Sequence, residues 1–355
     1  MPIPAVPIAK CLLIQRLLRY DHHCMLFFLF HHNRLSNVFM IIPHLVQQNV
    51  PLADKNWFKT GGVARYFAQP TNAHEFQQAL KFAKSHQIPI FLLGKGANIL
   101  ISDEGFNGLV IRSQLVAISH TYINDTTAQV TAGAGVDLHD LIQYCFAHNI
   151  VGLEEFSGIP STVGGAAYIN LHYFEFLLEQ FLTGAQVIDA ATTHIETVDN
   201  SWFGFGYNNS KLHVGNHYLM NATFTLKRAN DLEIAYARGR SVEIIRHRSR
   251  RYPTQNTCGS FFRNFHEHEI SFETEGKKLI FVAYYFDKLG FKGTLSIGDA
   301  QVSHQHANMI VNRGAATSTD IILLARAMQE QVKNAYGIVP QPECRLIGFS
   351  SYPLW

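Results

Sequence analysis

Cysteine is scarce in this 355-residue chain: five residues, at 11, 24, 145, 258 and 344, odd in number and never in a C-x-x-C pair. That pattern argues against a disulfide framework and a cysteine-rich zinc site, and it suits a reducing cytoplasm. Charge is sparse too. Asp, Glu, Lys and Arg make up 16%, and a net +2 gives no bulk field to attract nucleic acid or a membrane. The histidines supply no metal site either. His304 with His306 and His266 with His268 are each an H-x-H, but no third ligand falls at a suitable spacing, so no metal is expected. Repeats and low-complexity tracts are missing. In the first 40 residues the longest apolar run, CMLFFLF, is too short to span a bilayer, and no signal-peptide cleavage site follows. Residues 1–47 therefore read as an N-terminal extension. It is either transit-like, with Arg16, Arg19 and Arg34, or the product of an upstream start with Met40 the natural beginning.

What remains is 47% hydrophobic and long enough for two domains. In TNAHEFQQALKFAKSHQ, Asn72 and Glu75 form a capping-box pattern, and Phe76, Leu80 and Ala83 share one face. IPIFLL, NILIS, GLVIRS and AQVTAGAG read as strands. DLHDLIQYCFAHN is an amphipathic helix, with Leu138, Leu141, Ile142 and Cys145 on one side. GAQVIDAAT, HIETV and LMNATFTLKR are further strands, the last closing a domain near residue 228. YINLHYFEF (168–176) is expected to continue as helix, and the basic stretch 231–252 has helical spacing with a solvated face. A last helix is framed by Thr317 and Asp320 and lined by Ile321, Leu324, Ala325, Met328 and Val332. Helices and strands mix in both halves with few βαβ repeats, so the fold class is α+β.

Two glycine-rich loops stand out. LGKGANILI places Gly94 and Gly96 between apolar strands, and SGIPSTVGGA places Gly158, Gly164 and Gly165 around Pro160. Each could be only a tight turn. Together they suggest a concave backbone surface, where the amides of Ser161, Thr162 and Gly164 could form an anion nest. Ser260 follows a third glycine in CGSFFRN and, on local grounds, could be a simple turn residue.

In order, WFKTGGVARYF, LGKGANILISDEGFNGLVI, SGIPSTVGGA, CGSFFRN and GDAQVSHQHANMIVNRG…PECRLIG resemble the UDP-N-acetylenolpyruvoylglucosamine reductase family, over about Asn56 to Gly348. The likeness is to its shorter subtype, without the extra substrate-capping loop. It implies an FAD-binding domain of the vanillyl-alcohol-oxidase type (48–228) followed by a smaller α+β substrate domain (229–350). It also implies FAD and NADPH as cofactors, small-molecule partners only, and reduction of an enolpyruvyl ether of UDP-N-acetylglucosamine in peptidoglycan precursor synthesis. By the same resemblance, Gly94, Lys95, Gly96, Ala97 and Asn98 lie against the FAD pyrophosphate. Ser157, Gly158, Ile159, Pro160, Thr162, Gly164, Gly165 and Ala166 run along the cofactor.

Three positions then carry the chemistry. Ser260 matches the serine that protonates C2, and Glu343 the glutamate that supports the intermediate. The third departs from the family: where an arginine is usual in Tyr-Arg-x-Ser, this chain has Tyr207-Asn208-Asn209-Ser210. Asparagine brings neither charge nor a guanidinium fork. Lys211, Arg238, Arg240 and Arg263 are the candidates to replace it. Tyr207, Asn264, His306, Asn308 and Arg345 are candidate substrate contacts. Two other readings stay open: another oxidoreductase on the same flavin fold, such as a sugar or hydroxy-acid oxidase, and a binding protein whose catalysis decayed at Asn208.

Overall fold

The computed structural model describes residues 42–274 and 276–355; the expectations for residues 1–39 and for a start at Met40 lie outside them. The first strand, β1 (Val46–Pro51), begins two residues inside the expected extension and pairs antiparallel with β2 (Val63–Ala68). Helix α1 (Ala73–Ser85) starts at Asn72, whose side chain accepts the Glu75 amide at 3.0 Å. The Glu75 carboxylate reaches one residue further back than a capping box, to the amide and hydroxyl of Thr71 at 2.7 and 2.8 Å. Next come β3 (Ile90–Leu92), β4 (Ile99–Ile101) and β5 (Phe106–Ile111). The sheet order is β1-β2-β5-β3, with β5 parallel to both neighbours.

A second, antiparallel sheet holds β6 (Ile118–Tyr122), β7 (Thr127–Gly133), β8 (Ile150–Val151), β11 (Leu182–Asp189), β12 (Ile195–Asp199) and β13 (His217–Arg228), in the order β12-β11-β13-β7-β6 with β8 also on β13. Along β13, Ala222, Phe224 and Leu226 are buried at the two-residue period of a strand. They meet Leu138, Leu141, Ile142 and Cys145 of α2 (Leu138–Ala147) in one core.

The helix expected through 168–176 does not form. Helix α3 (Val163–Tyr168) stops first, and His172–Leu177 fold as a hairpin of β9 (His172–Tyr173) and β10 (Phe176–Leu177). Asn170 takes φ 47° and Phe174 φ 53°. The Asn170 amide is held there by partners from other segments: its oxygen accepts the Glu179 amide at 3.2 Å and its nitrogen donates to Gly206 O at 3.3 Å.

The helix that follows the expected boundary at 228 packs back on the second sheet. Helix α4 (Asp231–Arg251) buries Ile234, Ala237, Ser241 and Ile244, a three-and-four stripe, in and against the core of the second sheet. Its basic residues had masked that stripe, and the change of core comes after Arg251. Beyond it lie a small hairpin, β14 (Glu273–Thr274) and β15 (Lys277–Lys278), then α5 (Val282–Lys288), a three-stranded sheet of β16 (Ser296–Ile297), β17 (Ala300–Val302) and β18 (Ile310–Asn312), and α6 (Ser318–Tyr336). Thr317 and Asp320 cap α6 reciprocally. The chain then returns: β19 (Arg345–Ile347) pairs parallel with β4, placing Arg345 beside Ile99. Among the described residues, no helix is long and apolar enough to cross a membrane.

Candidate active site

The first glycine loop is shaped by what leaves no room for a side chain. Gly96 has φ +69°, and a Cβ there would stand 2.7 Å from Asn56 Cα. Asn56 is itself locked by its amide, which donates to Leu52 O and Thr60 O at 2.8 Å, and Trp57 N–H donates to Gly96 O at 3.0 Å. A Cβ on Gly94 would meet Thr162 Oγ1 at 2.9 Å, so the two glycine loops touch there. Between them opens a cavity of about 890 Å³, at the upper end of ligand-site sizes. Gly94 to Asn98 all line it, as do Gly158, Ile159, Pro160, Thr162, Gly164 and Gly165.

Three expectations for this cradle change. The Gly164 amide donates to Ala134 O at 2.9 Å, so it is no anion donor. Ser157 is buried behind the wall, its hydroxyl 2.8 Å from that of Ser241, and Ala166 is fully buried in the core. Both support the loop without lining the cavity. Lys95 lines it but pairs with the Asp137 carboxylate. The small-residue trough that remains fits a dinucleotide, whose diphosphate needs close backbone approach.

Opposite this cradle, Ser260 and Glu343 meet on adjacent extended segments. Phe262 bridges Pro342, and the Glu343 amide donates to Phe261 O at 2.8 Å. Both residues line the cavity. The Ser260 hydroxyl makes no hydrogen bond among the described residues and is open to a ligand. Glu343 has no cationic partner there, and burial pushes its carboxyl up to about 7, with the Asn208 side chain acting weakly the other way. A neutral carboxylic acid at physiological pH can donate a proton or a hydrogen bond.

Asn208 lines the cavity at φ 51°, with its buried Oδ1 lacking a partner. None of the four cations expected to compensate for it reaches the cavity wall. Lys211 stands over the Trp202 ring at 4.4 Å and Arg238 over Phe146 at 5.2 Å. Arg240 grips Glu155 with a fork of 2.7 and 2.8 Å, and Arg263 grips Glu269 at 2.8 and 2.7 Å.

Of the substrate candidates, Tyr207, Asn264, His306 and Arg345 line the cavity, and Asn308 does not. Asn308 is a buried brace, accepting the Phe262 amide at 3.0 Å and donating to Phe262 O at 2.7 Å. His306 accepts the Asn308 amide on Nδ1 at 3.2 Å, and burial lowers it to about 4. It is therefore a neutral ring offering Nε2–H. The sequence missed Trp57, Tyr168, His213 and Arg248 as wall residues. Arg248 donates to Gly158 O at 3.2 Å between the rings of Tyr173 and Tyr252. Its only sequence signal was the basic stretch that read as solvated surface. Among the described residues, no cluster of three or more His, Cys, Asp or Glu could hold a metal.

Known proteins carry the same parts. A family model for an FAD binding domain matches residues 64–198, and one for the C-terminal domain of UDP-N-acetylenolpyruvoylglucosamine reductase matches residues 251–347. The reductase of that name from Trichormus variabilis is 34% identical over 295 residues, 82% of this chain and 83% of the relative. The one from Latilactobacillus sakei is 33% identical over 307 residues, covering 86% and 94%. The crystal structure of the Thermus caldophilus enzyme aligns with a TM-score of 0.66 at 28% identity, covering 85% of this chain and 98% of that one. With two glycine loops facing a serine–glutamate pair across one cavity, and with relatives matched over most of their length, the chain belongs to the UDP-N-acetylenolpyruvoylglucosamine reductase family.

Proposed function

We propose that this chain is a cytoplasmic flavoenzyme that uses NADPH to reduce the enolpyruvyl ether of UDP-N-acetylglucosamine to the lactyl ether, UDP-N-acetylmuramate. The observation that carries this reading is the placement of Ser260 and Glu343 on one wall of the cavity whose other wall is the pair of glycine loops. Bound FAD would supply the redox chemistry, taking hydride from NADPH and giving it to the substrate.

The protein's own share is positioning and protons. Gly94 to Asn98 and Gly158 to Thr162 would hold the dinucleotide by backbone approach. Ser260 would give its proton to C2, where a carbanion-like centre is basic enough to take one from a hydroxyl. Glu343, whose carboxyl burial pushes up to about 7 so that a large share stays protonated near neutral pH, would return a proton to the site or hydrogen-bond the intermediate. His306 and Asn264 would orient the nucleotide sugar as neutral donors and acceptors. Asn208 favours a second reading, a relative that binds the nucleotide sugar without turning it over.

Purified protein separates the two. It should be yellow, and NADPH oxidation should be slow alone and fast with the enolpyruvyl substrate, giving one lactyl ether per NADPH. Binding of the substrate without product would favour the second reading. Oxidation of NADPH that ignores the substrate would point to another acceptor.

A further inference from the structure

An enolpyruvyl ether reaches the cavity with a carboxylate, and addition of hydride at C3 drives a second negative charge toward it. Stabilising such charge is a task for a preorganised cation in a water-poor site. Asn208 is neutral, so the charge must come from elsewhere in the wall.

Among the described residues, the wall holds Lys95, Arg248 and Arg345 as its Lys and Arg side chains. Lys95 is neutralised by Asp137. Arg248 is tied to the cofactor loop through Gly158 O and sits between two tyrosines. Arg345 has no carboxylate partner among the described residues. It lies two residues after Glu343, the spacing that puts two strand side chains on the same face. Its guanidinium rests over the Tyr168 ring at 4.7 Å, and Tyr168 stacks on His213 at 3.9 Å. The stack under it is uncharged, since burial and then Arg345 itself lower the His213 pKa. Its backbone N–H is fixed to Asn98 O at 3.1 Å, anchoring it to the first glycine loop.

Resting on the proposed reaction, we infer that Arg345 holds the substrate carboxylate and supplies the positive charge that position 208 lacks. As the C3–H bond forms, the C2=C3 pair moves to C2 and toward the carboxylate. Arg345 stabilises that charge and stays protonated. The Ser260 O–H then breaks as C2–H forms, and the serine regains its proton from Glu343 or water. Arg345 thus contacts the reacting part of the substrate, whereas Arg248 stays with the dinucleotide.

The test uses the FAD-loaded enzyme and the variants Arg345→Gln and Arg345→Lys. Calorimetry compares binding of the enolpyruvyl substrate with binding of UDP-N-acetylglucosamine, which lacks the carboxylate. Arg345→Gln should weaken the first at least ten-fold and leave the second unchanged, and kcat should fall on the order of 10²–10³-fold. Arg345→Lys, which keeps the charge but loses the fork, should recover part of both. Unaltered flavin absorbance and circular dichroism show that the variants are folded and loaded. Equal weakening of both ligands, or a variant within threefold of wild type in both readouts, would overturn the assignment. If wild-type enzyme makes no product, the proposed reaction fails by itself, and the contrast between the two ligands still decides whether Arg345 reads a carboxylate.

Discussion

A carboxyl held near 7 inside a cavity costs stability, and Glu343 lets that cost be measured. Its folded value is about 7 against the ordinary 4.5 of an exposed glutamate, and burial is the largest cause. Between those values the folded protein binds more protons than the unfolded chain, so stability falls as pH rises through the window. Above pH 7 the whole cost is present, roughly 3 kcal/mol at 1.36 kcal/mol per unit. Glu343→Gln should therefore be more stable than wild type at pH 8 and nearly equal to it at pH 4, by thermal unfolding of the flavin-free protein. A variant no more stable at pH 8 than at pH 4 relative to wild type would show that the carboxyl is not protonated at rest. Turnover of wild type should also fall on the alkaline side of about 7, as the acid form is lost. Ser260 has a different signature, because its hydroxyl is needed only when C2 takes its proton. Ser260→Ala should keep substrate affinity and lose product formation by about 10²–10⁴-fold. Rapid mixing with chemical quench reads that loss, and unimpaired product would move the proton donor elsewhere.

Elements carry the next level, and here the glycine loops act as rigid parts. Gly96 combines φ +69° with backbone of Asn56 at 2.7 Å, so neither strain nor collision can be relieved by a rotamer change. Gly96→Ala should lose FAD on gel filtration and unfold several degrees earlier, whereas Gly259→Ala, with φ +79° but open space around its Cβ position, pays only the conformational cost and should retain flavin. Such loops were legible in the sequence, as were α1 and α6, because a cap followed by a period of three and four is local information, and α2, which has no side-chain cap, was legible from its periodicity alone. The failures share a cause. Through 168–176 the aromatic run favoured helix, but Asn170 turned the chain by bonding Glu179 and Gly206, partners nine and 36 positions away. In α4 the basic residues hid the stripe of Ile234, Ala237 and Ile244, which only the second sheet explains.

At the scale of the whole molecule, the cavity is where three cores meet. Leu93 and Ile99 come from the first, Leu171 and Leu212 from the second, and Cys258 from the third. Ser260 and Glu343 could be named from local motifs, whereas Arg345, named from the sequence only as a substrate contact, was not among the four cations considered as replacements at position 208, because the convergence of the cores is not local information. Lys211, Arg238, Arg240 and Arg263 are nearer in sequence to Asn208 or Ser260, yet each is held by a ring or a carboxylate outside the wall. The return of β19 to β4 closes the circuit, tying the last core to the first through the strand that follows the glycine loop. A ligand filling this junction should therefore stabilise all three cores together. FAD at 100 times its Kd contributes about 2.7 kcal/mol to the folded state, which for a chain of this size is a shift on the order of 5 °C. Calorimetric scans with and without FAD should each show one transition, moved as a whole, with far-UV dichroism and tryptophan fluorescence coincident in both. If removing FAD instead splits the scan, leaving one peak that ignores the cofactor, then the cores unfold independently and the junction is a contact surface instead of a shared foundation.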